Sequence, residues 1–326
     1  MNRFGLLPPL VLIAAVEARA ELQLRVAPTV RSGVAVESDL FLGAGLKPGL
    51  EITMAPSLVV DASLTSFFKL RADYAFAFAY EQVDAGASYD QRGGLTLRGR
   101  PWDKLWIELA GRTASQRFTV VGTEEEGFVA VTAYDAFSAS PRVRYLSDQI
   151  DASAAYVFQS TLSRDFVEES STTLGPCPAP SFQGPIREQA HRAVATVAWS
   201  PREDASVGAE YRFTHNSATV GELIYASHEG LLTGALRILG GWLRLEAGLQ
   251  HTDFSVDRLD PATCVPFHRA DDLGRGSLGF SLQLAPGITL ELAYGYARRF
   301  STDRQWDADR HIGYLGLRID VDPWVF

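Results

Sequence analysis

Lysine is scarce in this chain: of 30 basic residues only Lys47, Lys69 and Lys104 are lysines. Methionine and cysteine occur twice each in 326 residues. A soluble helical protein of this length carries lysine, glutamate and leucine in quantity along 3.6-residue stripes, and that pattern is missing. Two cysteines exclude a disulfide-dense scaffold and a multi-cysteine zinc module. A surplus of positive charge is missing too, since the formal charge is -9, so nucleic acid is not an expected partner. Mean hydropathy is -0.01, which argues against a bundle of membrane helices, while 46% hydrophobic residues argue against disorder.

What is present begins with an address. Met1, Asn2 and Arg3 precede a mostly apolar run over residues 4–16, and Glu17-Ala18-Arg19-Ala20 ends in an A-x-A pattern before Glu21. This reads as a secretory signal peptide over residues 1–20. The run is shorter than the roughly 20 apolar residues a spanning helix needs, and Pro8-Pro9 weakens an anchor further. The exported part, residues 21–326, is read as one domain. Cys177 and Cys264 both sit in proline-containing, turn-rich stretches, which suits one loop-to-loop disulfide in an exported chain. No metal ligands flank either cysteine, and neither metal nor cofactor is expected.

Strict alternation carries the fold. Leu70, Ala72, Tyr74, Phe76, Phe78 and Tyr80 share one face of a strand, and Lys69, Arg71, Asp73 and Glu81 the other. The pattern recurs. Tyr89, Leu95 and Leu97 oppose Asp90, Arg92, Arg98 and Arg100, and Leu105, Ile107 and Leu109 oppose Glu108 and Arg112. Tyr156 and Phe158 alternate with Asp151 and Gln159, and Val207, Ala209, Tyr211 and Phe213 with Glu210 and Arg212. Leu243, Leu245 and Leu249 face away from Arg244, Glu246 and Gln250, and Leu290, Leu292, Tyr294 and Tyr296 from Glu291 and Arg299.

Connections alternate in length. Short turns are predicted at 64–66, 101–104, 146–149, 201–204, 240–241 and 286–287, and longer polar loops near 38–49, 82–88, 119–130, 163–187, 216–225, 253–267 and 301–309. Six turns and seven loops join fourteen strands, with both termini on the short-turn side; twelve or sixteen strands remain open. Pro28, Pro48 and Pro56 make residues 21–62 the least regular stretch.

The last residue is Phe326, preceded by Trp324 and by alternating Leu315, Leu317, Ile319 and Val321. With the alternation and the loop pattern, this resembles the bacterial outer-membrane β-barrels, whose assembly machinery reads a final apolar strand closed by phenylalanine. Asp322-Pro323 shifts the parity before Trp324, which departs from that signature and calls for a bulge or a short tail. The resemblance spans residues 21–326 and identifies no subfamily. It implies a transmembrane antiparallel up-and-down barrel, integral to the outer membrane, with periplasmic termini, surrounded by outer-membrane lipid and inserted by the barrel-assembly machinery.

In such a barrel the charged face looks inward, because an Arg or Lys facing lipid at the midplane costs about 2–4 kcal/mol. The expected lumen lining has fifteen bases: Lys69, Arg71, Arg92, Arg98, Arg100, Arg112, Arg142, Arg144, Arg192, Arg212, Arg237, Arg244, Arg275, Arg299 and Arg318. Its ten acids are Asp73, Glu81, Asp90, Glu108, Asp151, Glu210, Glu229, Glu246, Glu291 and Asp320. The excess acid is assigned to loops, among it Glu124-Glu125-Glu126, Glu168-Glu169, Asp253, Asp257, Asp260, Asp303, Asp307 and Asp309.

Catalytic readings are weak. His215-Asn216-Ser217 distantly resembles the His-x-Ser-Asn motif of lipid-deacylating barrels, but Ala218 follows Ser217 where that motif has asparagine. Asp271-Asp272 cannot act as a carboxylate pair, since neighbouring strand residues point to opposite faces. His191, His251, His268 and His311 stand singly. The chain is therefore expected to be no enzyme but a polar-lined transport channel. Two alternatives are a barrel of an envelope export system, for instance for surface polysaccharide, acting with a periplasmic partner, and a structural or adhesive barrel with a blocked lumen.

Overall fold

The computed structural model describes residues 23–41, 49–65, 67–81, 86–119, 131–163, 185–219, 223–255, 258–259, 266–302 and 307–325. Eleven long strands come first: β1 Gln23–Phe41, β2 Gly49–Ser63, β3 Phe68–Glu81, β4 Gly86–Trp102, β5 Leu105–Thr119, β6 Val131–Leu146, β7 Ile150–Ser163, β8 Ile186–Arg202, β9 Ala205–Ala218, β10 Tyr225–Ile238 and β11 Gly241–Phe254. A small hairpin, β12 Arg258–Leu259 and β13 Pro266–Phe267, precedes β14 Ala270–Ala285, β15 Ile288–Ser301, β16 Ala308–Asp320 and the short β17 Trp324–Val325. Each long strand pairs antiparallel with the next, and β16 returns to β1 from Thr29↔Asp320 to Phe41↔Ala308. The result is a closed up-and-down barrel of fourteen strands.

The alternation read from the sequence decides the two faces. Tyr74, Ile107, Leu109, Val207, Leu232, Leu245, Leu249 and Leu315 are all exposed on the convex side. Ile186 and Ala190 are the only buried apolar side chains in the described residues, whereas Thr96, Glu108, Asn216, Glu229, Asp271 and Glu291 are buried. The molecule is apolar outside and polar inside, the reverse of a water-soluble domain.

The prolines disturb the ladder less than the sequence suggests. Pro28 and Pro56 lie within β1 and β2, and the register on either side of Pro56 is unbroken, from Met54↔Phe78 to Ser57↔Ala75. Pro141 in β6 behaves in the same way between Ala139↔Phe158 and Arg142↔Ala155. Each removes a donor locally, and the long flanking ladders hold the register.

At the chain end, Asp320 pairs with Thr29 and Trp324 with Val26, so three residues on one strand oppose two on the other. The parity shift at Asp322-Pro323 is thus a one-residue bulge rather than a free tail. It returns Trp324, 56% exposed, to the convex face beside Leu315, Leu317 and Ile319. The β10–β11 turn is Leu239-Gly240, one residue earlier than expected, with Gly241 already in β11. Both turn residues have positive φ, 50° and 78°, the geometry that suits the twist of a two-residue hairpin. Residues 1–20, Cys177, Cys264 and Phe326 lie outside the described residues, and with them the signal peptide, the disulfide and the terminal assembly residue.

Candidate functional site: the polar wall

Cross-strand partners point the same way, so the concave face can be followed from strand to strand. One row runs Lys69↔Arg98↔Glu108↔Arg142 across β3 to β6. Arg71 and Asp73 of β3, Arg92 and Arg100 of β4, Arg112 of β5 and Arg144 of β6 share its parity. Glu210 and Arg212 of β9, Arg244 and Glu246 of β11, Glu291 and Arg299 of β15, and Arg318 of β16 continue it. Arg25 and Arg31 of β1, Asp61 of β2, Glu188 of β8 and Asp271 of β14 add to this face and went unassigned in the sequence, being in its less regular segments or strand ends.

Three buried glutamates organise the wall, each between two arginines. Glu108 has Arg98 Nε at 3.0 Å, without hydrogen-bond alignment, and an Arg144 terminal nitrogen at 3.9 Å. Arg144 also forks onto Asp151, with Nε 2.8 Å from one carboxylate oxygen. Glu229 accepts from Arg212 at 2.9 Å and holds Arg275 at 2.7 Å, while Arg212 also binds Glu210 at 2.6 Å. Glu291 accepts from Arg31 at 3.1 Å and Arg318 at 3.2 Å, and Arg318 also donates to Asp320. Buried carboxylates require such partners, since a lone buried charge is costly.

Two of these pairs reach over an intervening strand. Arg275 crosses β11 at Gly248, where a Cβ would lie 3.2 Å from its Nε, and Arg31 crosses β16 near Gly316. The Tyr314 ring lies over Gly33 and Gly316, and the Asp73 carboxylate over Gly94. Glycine at these places lets polar side chains lie flat along the wall. All the arginine–carboxylate pairs above join the same, neighbouring or next-but-one strands.

Other bases on this face have less compensation. Arg112, Arg142 and Arg244 make no ion pair among the described residues. Arg25, Arg237, Arg244 and Arg318 line a recess of about 600 Å³ at the short-turn end, with Trp242 and Asp320. Trp106 carries Lys69 and Arg100, each 5.8 Å from its ring centre. Among the tryptophans near the short turns, Trp106 and Trp242 thus belong to the polar face, while Trp199 and Trp324 are exposed on the convex one.

Asp253 and Asp309, expected in loops, are strand residues on the convex face. His268 Nε2 lies 2.5 Å from Asp253, and Arg298 Nε 3.5 Å from Asp309. The longer strands capture them, because β11 extends to Phe254 and β16 starts at Ala308.

Of the catalytic candidates, His215 and Ser217 share the convex face of β9, and Asn216 between them takes the other. Asn216 is buried on the polar face, donating to Glu188 and to the Leu223 carbonyl at 2.7 Å, whereas Ser217 donates to the Gln189 carbonyl. Asp271 is buried with Arg269 and Ser301, and Asp272 faces outward to His251. No group of three or more His, Cys, Asp or Glu residues among those described is arranged to hold a metal ion.

A closed antiparallel barrel with an apolar exterior and a charged interior has the fold of the outer-membrane β-barrel proteins. No protein-family model and no curated relative matches the sequence. Among solved structures, a loop-deletion mutant of OmpT, an outer membrane protein of Vibrio cholerae, superposes with TM-score 0.53 at 9% identity, over 91% of this chain and 99% of that one. The in-vitro folded OmpT trimer form gives 0.50 at 10% identity, over 91% and 99%. CymD, a monoaromatic hydrocarbon channel, gives 0.51 at 8% identity, over 90% and 88%.

Proposed function

We propose that the chain is an integral outer-membrane channel, exported with loss of residues 1–20 and holding both termini in the periplasm, that passes small polar or charged solutes along its axis. The observation that carries this reading is the geometry of the polar wall. Its arginine–glutamate clusters run along the circumference and over glycines rather than across the axis. Barrel width grows with strand number, and fourteen strands exceed the eight whose interior side chains can fill. A lining of arginine and carboxylate favours hydrated solutes over the apolar cargo named for CymD. The same geometry weighs against a lumen closed by its own ion pairs.

Single-channel recording in a planar bilayer tests it, with ion selectivity taken from the reversal potential. Discrete conductance steps are expected. A folded, heat-modifiable barrel that stays electrically silent sinks the proposal and turns attention to partner-gated export.

A further inference from the structure

All six histidines of the chain occupy the convex face or its margin at the long-loop end. His191, His215, His228, His251 and His311 lie on β8, β9, β10, β11 and β16, and His268 just precedes β14. Three are held alike. Tyr156 bonds His191 Nδ1 at 2.5 Å, Tyr211 bonds His228 Nδ1 at 2.7 Å and Tyr294 bonds His311 Nδ1 at 2.8 Å. A second ring, Phe158, Phe213 or Tyr296, packs on each imidazole at 5.3, 5.0 and 4.8 Å. The cross-strand partners show the repeat: Phe158↔His191, Phe213↔His228 and Tyr296↔His311.

On β8 to β10 these rings form a patch. His191 and His215 are direct partners, Gln189 pairs Ser217 beside them, and Arg187, opposite Leu162, stands at the rim. Toward the short turns the same convex positions are Ala193, Ala195, Val197 and Trp199 on β8, Val207 and Ala209 on β9, and Leu232 and Leu236 on β10. Charge and imidazole therefore begin abruptly where the apolar wall ends. The neighbouring carboxylates are engaged, Asp272 by His251 at 2.8 Å and Asp253 by His268. Arg187, His191, His215 and His228 have no acidic partner among the described residues.

We infer that this patch binds the phosphate of an outer-leaflet lipid headgroup. The inference rests on the membrane reading above. A Tyr–Nδ1 bond fixes the ring; when the phenol donates, Nε2 carries the hydrogen, and in the charged ring it does so too. Each anchored imidazole then offers an outward N–H donor, and Arg187 a charged fork, to an oxyanion whose acyl chains lie against the apolar wall below.

The test uses the full barrel in vesicles of phosphatidylcholine with a minor share of phosphatidic acid, followed by native mass spectrometry of lipids retained on release. Preferential retention of phosphatidic acid is expected, falling about tenfold or more in a combined His191→Gln, His215→Gln, His228→Gln variant. Arg187→Gln, at an exposed rim position, provides a second variant should the triple one not fold, with a smaller loss expected. Equal retention by wild type and a folded variant overturns the site. So does release of dimers or trimers that these substitutions dissociate, which would assign the patch to a second copy. A wild-type barrel that inserts and conducts but shows no phosphate preference fails this inference alone, whereas one that does not insert removes the membrane reading with it.

Discussion

Glu108 shows what a single side chain contributes. It is 6% exposed and sits between Arg98 and Arg144, so Glu108→Gln leaves two guanidiniums facing a neutral amide. Arg144 keeps Asp151 and Arg98 is about a third exposed, which limits the loss to about 1–3 kcal/mol. A lower midpoint in heat-modifiability on gels and a reversal potential shifted toward anions are the expected readouts. That Glu108 points inward was legible from Leu105-Ile107-Leu109 on either side of it. That it holds two arginines was not, because Arg144 belongs to β6 and meets it only through the register of β5 with β6. Glu229 and Glu291 repeat the lesson, drawing partners from two strands away. His228 escaped the sequence reading altogether, since its role comes from Tyr211 and Phe213 on a different strand.

At the level of the strand, parity is the whole message. Leu232, in mid β10 and 62% exposed, is expected to resist replacement by arginine, with Leu232→Arg costing about 2–4 kcal/mol in refolding into lipid vesicles. Ser277→Arg, on the concave face opposite Glu246, is expected to fold with little loss under the same urea titration. Comparable penalties for both would mean the faces are assigned wrongly. The turn between β10 and β11 allows a gain. Leu239 is held at φ 50°, a region asparagine tolerates better than leucine, and it is 90% exposed. Leu239→Asn is expected to stabilise the barrel by about 1 kcal/mol, seen as a higher midpoint in the same titration. The prolines mark the limit of reading strands singly: Pro56 and Pro141 look like breaks in isolation, yet neighbours pairing on both sides carry the ladder past them.

Selectivity belongs to the whole molecule. Arg112, Arg142 and Arg244 make no ion pair among the described residues, so in an open lumen their charge is available to solutes. Replacing Arg142 and Arg244 with glutamine is expected to move the reversal potential toward cations while leaving the strand content seen by circular dichroism intact. An unchanged potential would take these two side chains out of the conduction path. Neutralising Arg275 is expected to act differently, because Glu229 depends on it, and to lower stability before it alters selectivity.

The sequence by itself determined the strand periodicity, the alternation of short turns with long loops, the fourteen-strand count favoured from them, and the division of charged from apolar side chains along the clearly alternating strands. These follow from local chemistry, since successive side chains of any extended strand point to opposite faces. Tertiary structure decided what those charges do with one another. Register along β5–β6, β9–β10–β11–β14 and β15–β16–β1 selected which arginines are neutralised on buried glutamates and which are left over. It also brought scattered histidines into one patch beside the long loops. A ladder shifted by one residue would keep every strand's composition and dissolve both arrangements, because cross-strand neighbours are a property of pairing and not of the chain.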